Sequence, residues 1–333
     1  MLIDFAPPVT ASPAETEAAA VAAERDGYDG FGAPETRHDV FTTLTLAARA
    51  TSRITVQSAI AVAFARNPMT VAVAANDLQL ISGGRFQLGL GSQVQAHIER
   101  RFAMPWSRPA ARMEDFLAAV RAIWHSWATG DRLAYRGTFY RHTLMTEFFN
   151  PGPNPHGRPP ILLAAVGERM TAVAGRVADG LMVHPLTSPR YLAERTLPAL
   201  RAARGSLDGF TLCLPALVVL GDDEASRARA EQAIRGQIAF YASTPSYRAV
   251  LDTHGWGELA DRLAGLARRQ AWTEMAAAIG DDVLATFAVA GDPATVAAGL
   301  RDRFGAVVGR ISLYTPYAVE PALVAAVTAA LRR

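Results

Sequence analysis

The 333-residue chain is 50% apolar and 19% charged, with a formal charge of +2, the make-up of a globular chain long enough to bury a large core. Its basic residues are scattered and no apolar run reaches the roughly 18 residues of a membrane span, so neither a nucleic-acid nor a membrane surface is indicated. One cysteine and no lysine exclude disulfides, cysteine-rich metal sites, Schiff-base chemistry and a Walker A phosphate loop.

Elements alternate along the chain. Leu2–Phe5 is a short apolar strand, and Ser12 followed by Pro13 opens a helix that Gly27 closes. Tyr28–Gly32 reads as a strand and Val40–Thr51 as a helix. Ile54–Val62 has the continuous apolar character of a strand buried on both faces, with a helix over Pro68–Ile81 behind it. Phe86–Gly89 is a strand leading into a glycine turn, and Pro109–Ala128 is helical. Strands follow at Pro159–Ala165, Gly180–Val183 and Phe210–Leu220, separated by helices over Glu168–Ala178 and Pro189–Arg204. A helix over Asp222–Phe240, another over Pro293–Phe304, a strand at Arg310–Tyr314 and a helix from Pro321 complete the series.

Eight strands, each followed by helix, predict a (βα)8 TIM barrel, with a doubly wound sheet as the alternative. Residues 1–333 read as a single domain. Thr129–Arg158 and Ser243–Asp282 break the alternation and are expected to be insertions at the C-terminal face of the barrel. No signal peptide is visible at the N-terminus, which points to a cytoplasmic protein.

Gly89-Leu90-Gly91 superficially suggests a dinucleotide loop. The fingerprint requires a third glycine where Val94 stands, and the stretch lies far behind the first strand. In a barrel, chemistry belongs to the loops after the strands. After the second strand lies Glu35-Thr36-Arg37-His38-Asp39, and after the fourth Gly91-Ser92-Gln93 with His97 beyond. After the fifth, Ala164-Ala165-Val166-Gly167 opens into a helix whose free N–H groups could hold an anion, although a plain tight turn reads equally well. The histidines lack metal-site spacing, so no metal is expected; Cys213 reads as core. The aromatics of 129–158 read either as a wall for a flat ligand or as a satellite hydrophobic cluster.

"LISGGRFQLGLGSQ", preceded by "AVAFARNP" and followed by "RPAARMEDF", resembles the luciferase-like flavin and deazaflavin oxidoreductases. The likeness continues through "PPILLAAVGERMTAVAGRVADGLMVHP" to "FAVAGDPATVAAGLRDRFG", and "GSQVQAHIERRFAMPW" is similar to the actinobacterial branch that uses coenzyme F420. The resemblance implies the bacterial-luciferase type of barrel, F420 (alternatively FMN) as cofactor, a small-molecule substrate and a homodimer. It also implies a non-proline cis peptide after the third strand, between Ser58 and Ala59. Ser58, Ala59, Gly91 and Ser92 would lie by the ring, and Ala165, Val166 and Gly167 by the phosphate. Family members that oxidise sugar phosphates carry a glutamate where this chain has Val94, and an acid–histidine pair where it has Glu35-Thr36, which argues against that substrate. His38 and His97 remain as proton donors, with Glu35 as orienter or acid. Three activities follow: F420-dependent hydride transfer, FMN-dependent monooxygenation, or cofactor binding without catalysis.

Overall fold

The computed structural model describes residues 1–333. Eight parallel strands form its centre: β1 (Leu2–Phe5), β2 (Gly30–Ala33), β3 (Thr55–Ser58), β4 (Phe86–Gly91), β5 (Ile161–Ala165), β6 (Gly180–Val183), β7 (Thr211–Val219) and β8 (Arg310–Tyr314). Asp4 is opposite Gly30, Gly30 opposite Thr55, Val56 opposite Phe86 and Leu88 opposite Ile161. Leu162 then pairs with Gly180, Thr211 with Gly180, Cys213 with Arg310, and Arg310 with Leu2, so β8 returns to β1 and no edge is left open. This is the (βα)8 barrel and not the doubly wound sheet.

The outward residues of the strands face helices. Phe31, Val56, Leu88, Leu90, Leu163 and Leu181 join helix residues such as Leu44, Leu78, Phe116 and Val173 in one fully buried layer. Helix starts follow the side chains that satisfy their first N–H groups: Asp39 accepts from Thr42, and Asn67, followed by Pro68, accepts from Thr70. Inside, the N-terminal half of the barrel is plugged by an ion pair. Arg310 Nε donates to Asp4 Oδ2 at 2.9 Å, and Gln57 Nε2 donates to the same oxygen at 3.0 Å. Both charged side chains are 5% exposed or less. Gly30 makes room for them, since a Cβ there would lie 2.4 Å from Asp4 Oδ1.

Four expectations require correction. The apolar run Ile54–Val62 is not one strand: β3 ends at Ser58, and Ala61–Val62 forms a separate pairing with Leu90–Gly91. The cis peptide falls between Ala59 and Ile60, one residue later than expected. Gly89-Leu90-Gly91 is strand and not turn. The segment 129–158 reaches the C-terminal end of the barrel only through its hairpin turn, where Arg108 lies over the Phe139 ring at 4.7 Å. It leaves the bottom end of helix Pro109–Thr129 and climbs that helix's outer flank as a small hairpin, Tyr135–Arg136 against Arg141–His142. The Tyr135 hydroxyl reaches the Asp115 carboxylate, and Tyr140 packs edge-on to Phe116 at 5.4 Å and accepts from Arg112 at 2.8 Å. Tyr135 and Tyr140 thus pack against the main core, while Phe148 and Phe149 are exposed and meet edge-on at 5.0 Å.

The second insertion does sit at the C-terminal face, and is larger than the sequence indicates. Helices Glu224–Ala242, Arg248–Thr253, Gly257–Arg268, Trp272–Ala277 and Asp281–Phe287 precede a short strand, Ala288–Ala290, that pairs with the end of β7. Ile234, Ile238, Leu263 and Phe287 pack with Leu186, Leu217 and Val219 at the tops of β6 and β7, a second apolar core that roofs this side of the barrel. Ser188 Oγ and His254 Nε2, 2.8 Å apart, fasten the roof to the loop after β6.

Candidate active site at the barrel mouth

Side chains alternate along each strand, and the register carries the inward set upward from the Asp4–Arg310 plug. Above it, Leu162, Met182 and Cys213 form an apolar floor, against which Ala59, Ile60 and Ala164 pack. Burial among these pushes the Cys213 thiol up to about 12, so it is an inert floor residue. The next inward positions are Gly32, Ala59, Gly91, Ala164, Pro215 and Ser312, all small. Four of them, Ala59, Ala164, Pro215 and Ser312, are half-buried, whereas the outward residues beside them on β5 and β7 are buried. A barrel layer is normally filled by bulky branched side chains. Here the layer is left open, as a slot above an apolar floor.

The slot's wall at β3 and β4 is built by close backbone approach. A Cβ on Gly89 would lie 1.8 Å from the Ser58 carbonyl oxygen, and one on Gly91 2.8 Å from Ile60 Cδ1. The glycines that resemble a nucleotide loop therefore exist to let β4 meet the chain after β3. Ser58 Oγ completes the joint, donating to Gly89 O at 2.8 Å and accepting from Gly89 N–H at 2.9 Å. Its hydroxyl is fully engaged, and Ser58 contributes framework rather than a free group. Ala59 lines the slot; Ser92, half-buried, bonds only to its neighbour's carbonyl, Gln93 O, at 3.1 Å.

The structure separates the three residues expected to handle protons. Glu35 is used as a brace: its carboxylate accepts from Val62 N–H and from Arg66, both at 2.7 Å, while Arg66 also reaches Asp39 at 2.8 Å. Glu35 orients Arg66 and the chain after the cis bond, and bonds to neither histidine. His38 is exposed, beside a notch lined by Pro7, Pro8 and Pro34, and makes no hydrogen bond. His97 is exposed on the helix Gln95–Arg100. The two loops do touch, through Arg101 donating to Thr36 O at 2.6 Å.

At the end of β5, Val166 and Gly167 are half-buried and Gly167 is the N-cap of helix Glu168–Val177, with no side chain capping the first turn. A Cβ at Gly167 would meet nothing within 4 Å. Tyr191 fixes the loop by donating its hydroxyl to Val166 O at 2.9 Å. The first-turn N–H groups thus have no side-chain partner, and the same turn carries the acid Glu168.

Sequence reasoning missed the densest functional-looking group. His184 immediately follows β6, on the inward parity of Met182, and is half-buried. Tyr247 stacks on it at 4.2 Å, and Tyr241 meets it edge-on at 4.5 Å. The Tyr241 hydroxyl lies 3.1 Å from that of Tyr314, which tops β8. Burial drives the His184 pKa down to about 3, and burial together with Tyr314 raises that of Tyr241. His184 had one available signal, its place just after a strand; Tyr241 and Tyr247 come from the roof and had none.

Comparison with known proteins identifies the family. The family model of luciferase-like monooxygenases matches residues 3–310, and the chain belongs to that family. The uncharacterised protein Rv1360 of Mycobacterium tuberculosis is 49% identical over 297 residues, covering 88% of this chain and 87% of that one. A candidate coenzyme F420-dependent oxidoreductase of the same organism, Rv3520c, is 30% identical over 306 residues, 85% of each chain. Among solved structures, the F420-dependent tetrahydromethanopterin reductase of Methanopyrus kandleri superposes with a TM-score of 0.75 at 22% identity, covering 93% of this chain and 92% of that one. No helix is long and apolar enough to cross a membrane.

Proposed function

We propose that the chain is a coenzyme F420-dependent oxidoreductase acting on a small organic substrate. The observation that carries this reading is the open layer at the barrel mouth: Ala59, Ala164, Pro215 and Ser312 are half-buried and leave a slot for a flat ring above an apolar floor. The deazaflavin suits the residues present. Its ring would lie against Ala59, Ile60 and Gly91 with Ser92 at the rim, and its phosphate on the uncapped N–H groups after Ala165, Val166 and Gly167. When bound, this group supplies the hydride exchange itself.

The protein's own part is to position and to exclude water. The Ser58–Gly89 joint and the Glu35–Arg66 brace hold the two edges of the slot rigid. The floor of Leu162, Met182 and Cys213 keeps water from the buried side, and the insertion of 224–287 closes the face above β6 and β7. His38 and His97 remain proposals for proton exchange at the exposed rim, by loop position alone.

The test is anaerobic mixing of the protein and reduced F420 with a panel of aldehydes, ketones and activated alkenes. Recovery of the oxidised cofactor's absorbance with one member supports hydride transfer. No recovery with any, combined with turnover only in the presence of oxygen and reduced FMN, would replace this reading with monooxygenation.

A further inference from the structure

The loop after β6 holds one polar group that the architecture has prepared and left unused. His184 Nδ1 accepts a hydrogen bond from Leu186 N–H at 3.1 Å. An imidazole that accepts at Nδ1 carries its proton on Nε2 when neutral, so the tautomer is set by the backbone. Nε2–H has no partner in the protein and is not among the polar atoms sealed from solvent. The ring cannot turn to find one, because Tyr247 lies flat on it and Tyr241 abuts its edge.

Such a donor differs from the exposed histidines at the rim. It is half-buried, on the inward side of the barrel, above the apolar floor. The walls around it are the rings of Tyr241 and Tyr247, with the Tyr314 hydroxyl on that of Tyr241, and none of these four side chains takes part in an ion pair. A charged ligand would find no counter-charge there. A neutral ligand with one acceptor oxygen would find an apolar aromatic wall and a single directed N–H.

We infer that His184 Nε2–H is the hydrogen-bond donor that holds the acceptor oxygen of an uncharged carbonyl substrate at the mouth of the barrel. The inference rests on the hydride-transfer reading. Hydride from the reduced deazaflavin forms a C–H bond at the carbonyl carbon and breaks the C=O π bond, whose electron pair moves to oxygen. The oxygen, held by Nε2–H, takes a proton from solvent at the open rim and leaves as the alcohol; the deazaflavin is oxidised by two electrons. His184 keeps its own proton throughout. It acts as a fixed dipole aimed at developing charge, and an imidazole held neutral by burial is suited to that.

The test combines ligand and protein spectra. ¹⁵N spectra of the histidine-labelled protein should show His184 protonated at Nε2 and bare at Nδ1. Cyclohexanone labelled at the carbonyl carbon is the probe. On binding, its carbonyl resonance should move downfield with the unaltered protein and stay unmoved with His184→Phe, which fills the slot between the tyrosines without a donor. His184→Gln, whose amide can donate, should restore part of the shift, and serves if the Phe variant does not fold. Methylenecyclohexane, the same shape without oxygen, should compete with the ketone in every folded variant. With reduced F420, His184→Phe should lower kcat/KM about a hundredfold while the Kd for cofactor stays unchanged. Equal carbonyl shifts in the Phe variant, a protonated Nδ1, or no shift up to the ketone's solubility limit would overturn the assignment. Failure of the protein to bind F420 would instead sink the hydride reading, leaving the spectra of the carbonyl as they are.

Discussion

Burying His184 between two tyrosines makes stability depend on pH in a direction that can be worked out. The folded state holds its pKa near 3, whereas an unfolded histidine titrates near the ordinary value of about 6.5. Between those values the unfolded chain binds a proton that the native protein refuses, so stability is lost as the pH falls. Lowering the pH from about 7 to about 5 should cost about 2 kcal/mol at this one residue. His184→Gln removes the titration and keeps a polar side chain of similar reach. Urea unfolding at both pH values, on the protein and the variant, measures the difference. Burial also lowers the pKa values of His142 and His254, but they are common to both proteins and cancel in the comparison. The variant should lose about 2 kcal/mol less than the parent across that interval. Identical losses would mean that His184 is protonated in the native protein near pH 5, and the fixed neutral tautomer would be refuted.

Three further substitutions separate framework from binding. Gly89→Ala places a Cβ 1.8 Å from the Ser58 carbonyl, and should cost more than about 3 kcal/mol in urea unfolding or prevent folding. Arg66→Met leaves the Glu35 carboxylate, 8% exposed, without its cation, and should cost about 2–3 kcal/mol of stability. An unchanged unfolding midpoint would return Glu35 to the list of free acids. Gly167→Asp should act with opposite signs on two readouts: as a better N-cap it should raise stability by up to about 1 kcal/mol, while its charge should weaken F420 binding about tenfold or more. A variant that binds F420 as tightly as the parent would place the phosphate elsewhere.

The barrel was legible because strand and helix patterns alternate along the chain and because helix starts are marked by Ser12 with Pro13 and by prolines such as Pro68 and Pro109. What misled was chemistry that depends on partners distant in sequence. Gly89 and Gly91 look like a phosphate loop until the Ser58 carbonyl and Ile60 are placed against them. Glu35, His38 and Asp39 look like a catalytic cluster until Arg66, on the next loop, is seen to take both carboxylates. Composition showed that 129–158 is aromatic, but only the position of helix Pro109–Thr129 sends it up the outer flank of the barrel, with Tyr140 on Arg112. His184 was visible as the residue after a strand, yet its role depends on tyrosines brought from a roof more than 50 residues later. Local pattern specifies elements; which side chains are already spent is decided by tertiary contact.

The central claim, a deazaflavin seated in the open layer of the barrel, is tested most directly by equilibrium titration of the purified protein with F420 and, separately, with FMN. The chain's five tryptophans, Trp106 among them on the loop after β4, report binding through fluorescence quenching. Saturable quenching by F420 with FMN at least tenfold weaker is the expected result. Preference for FMN, or binding of neither, would contradict it.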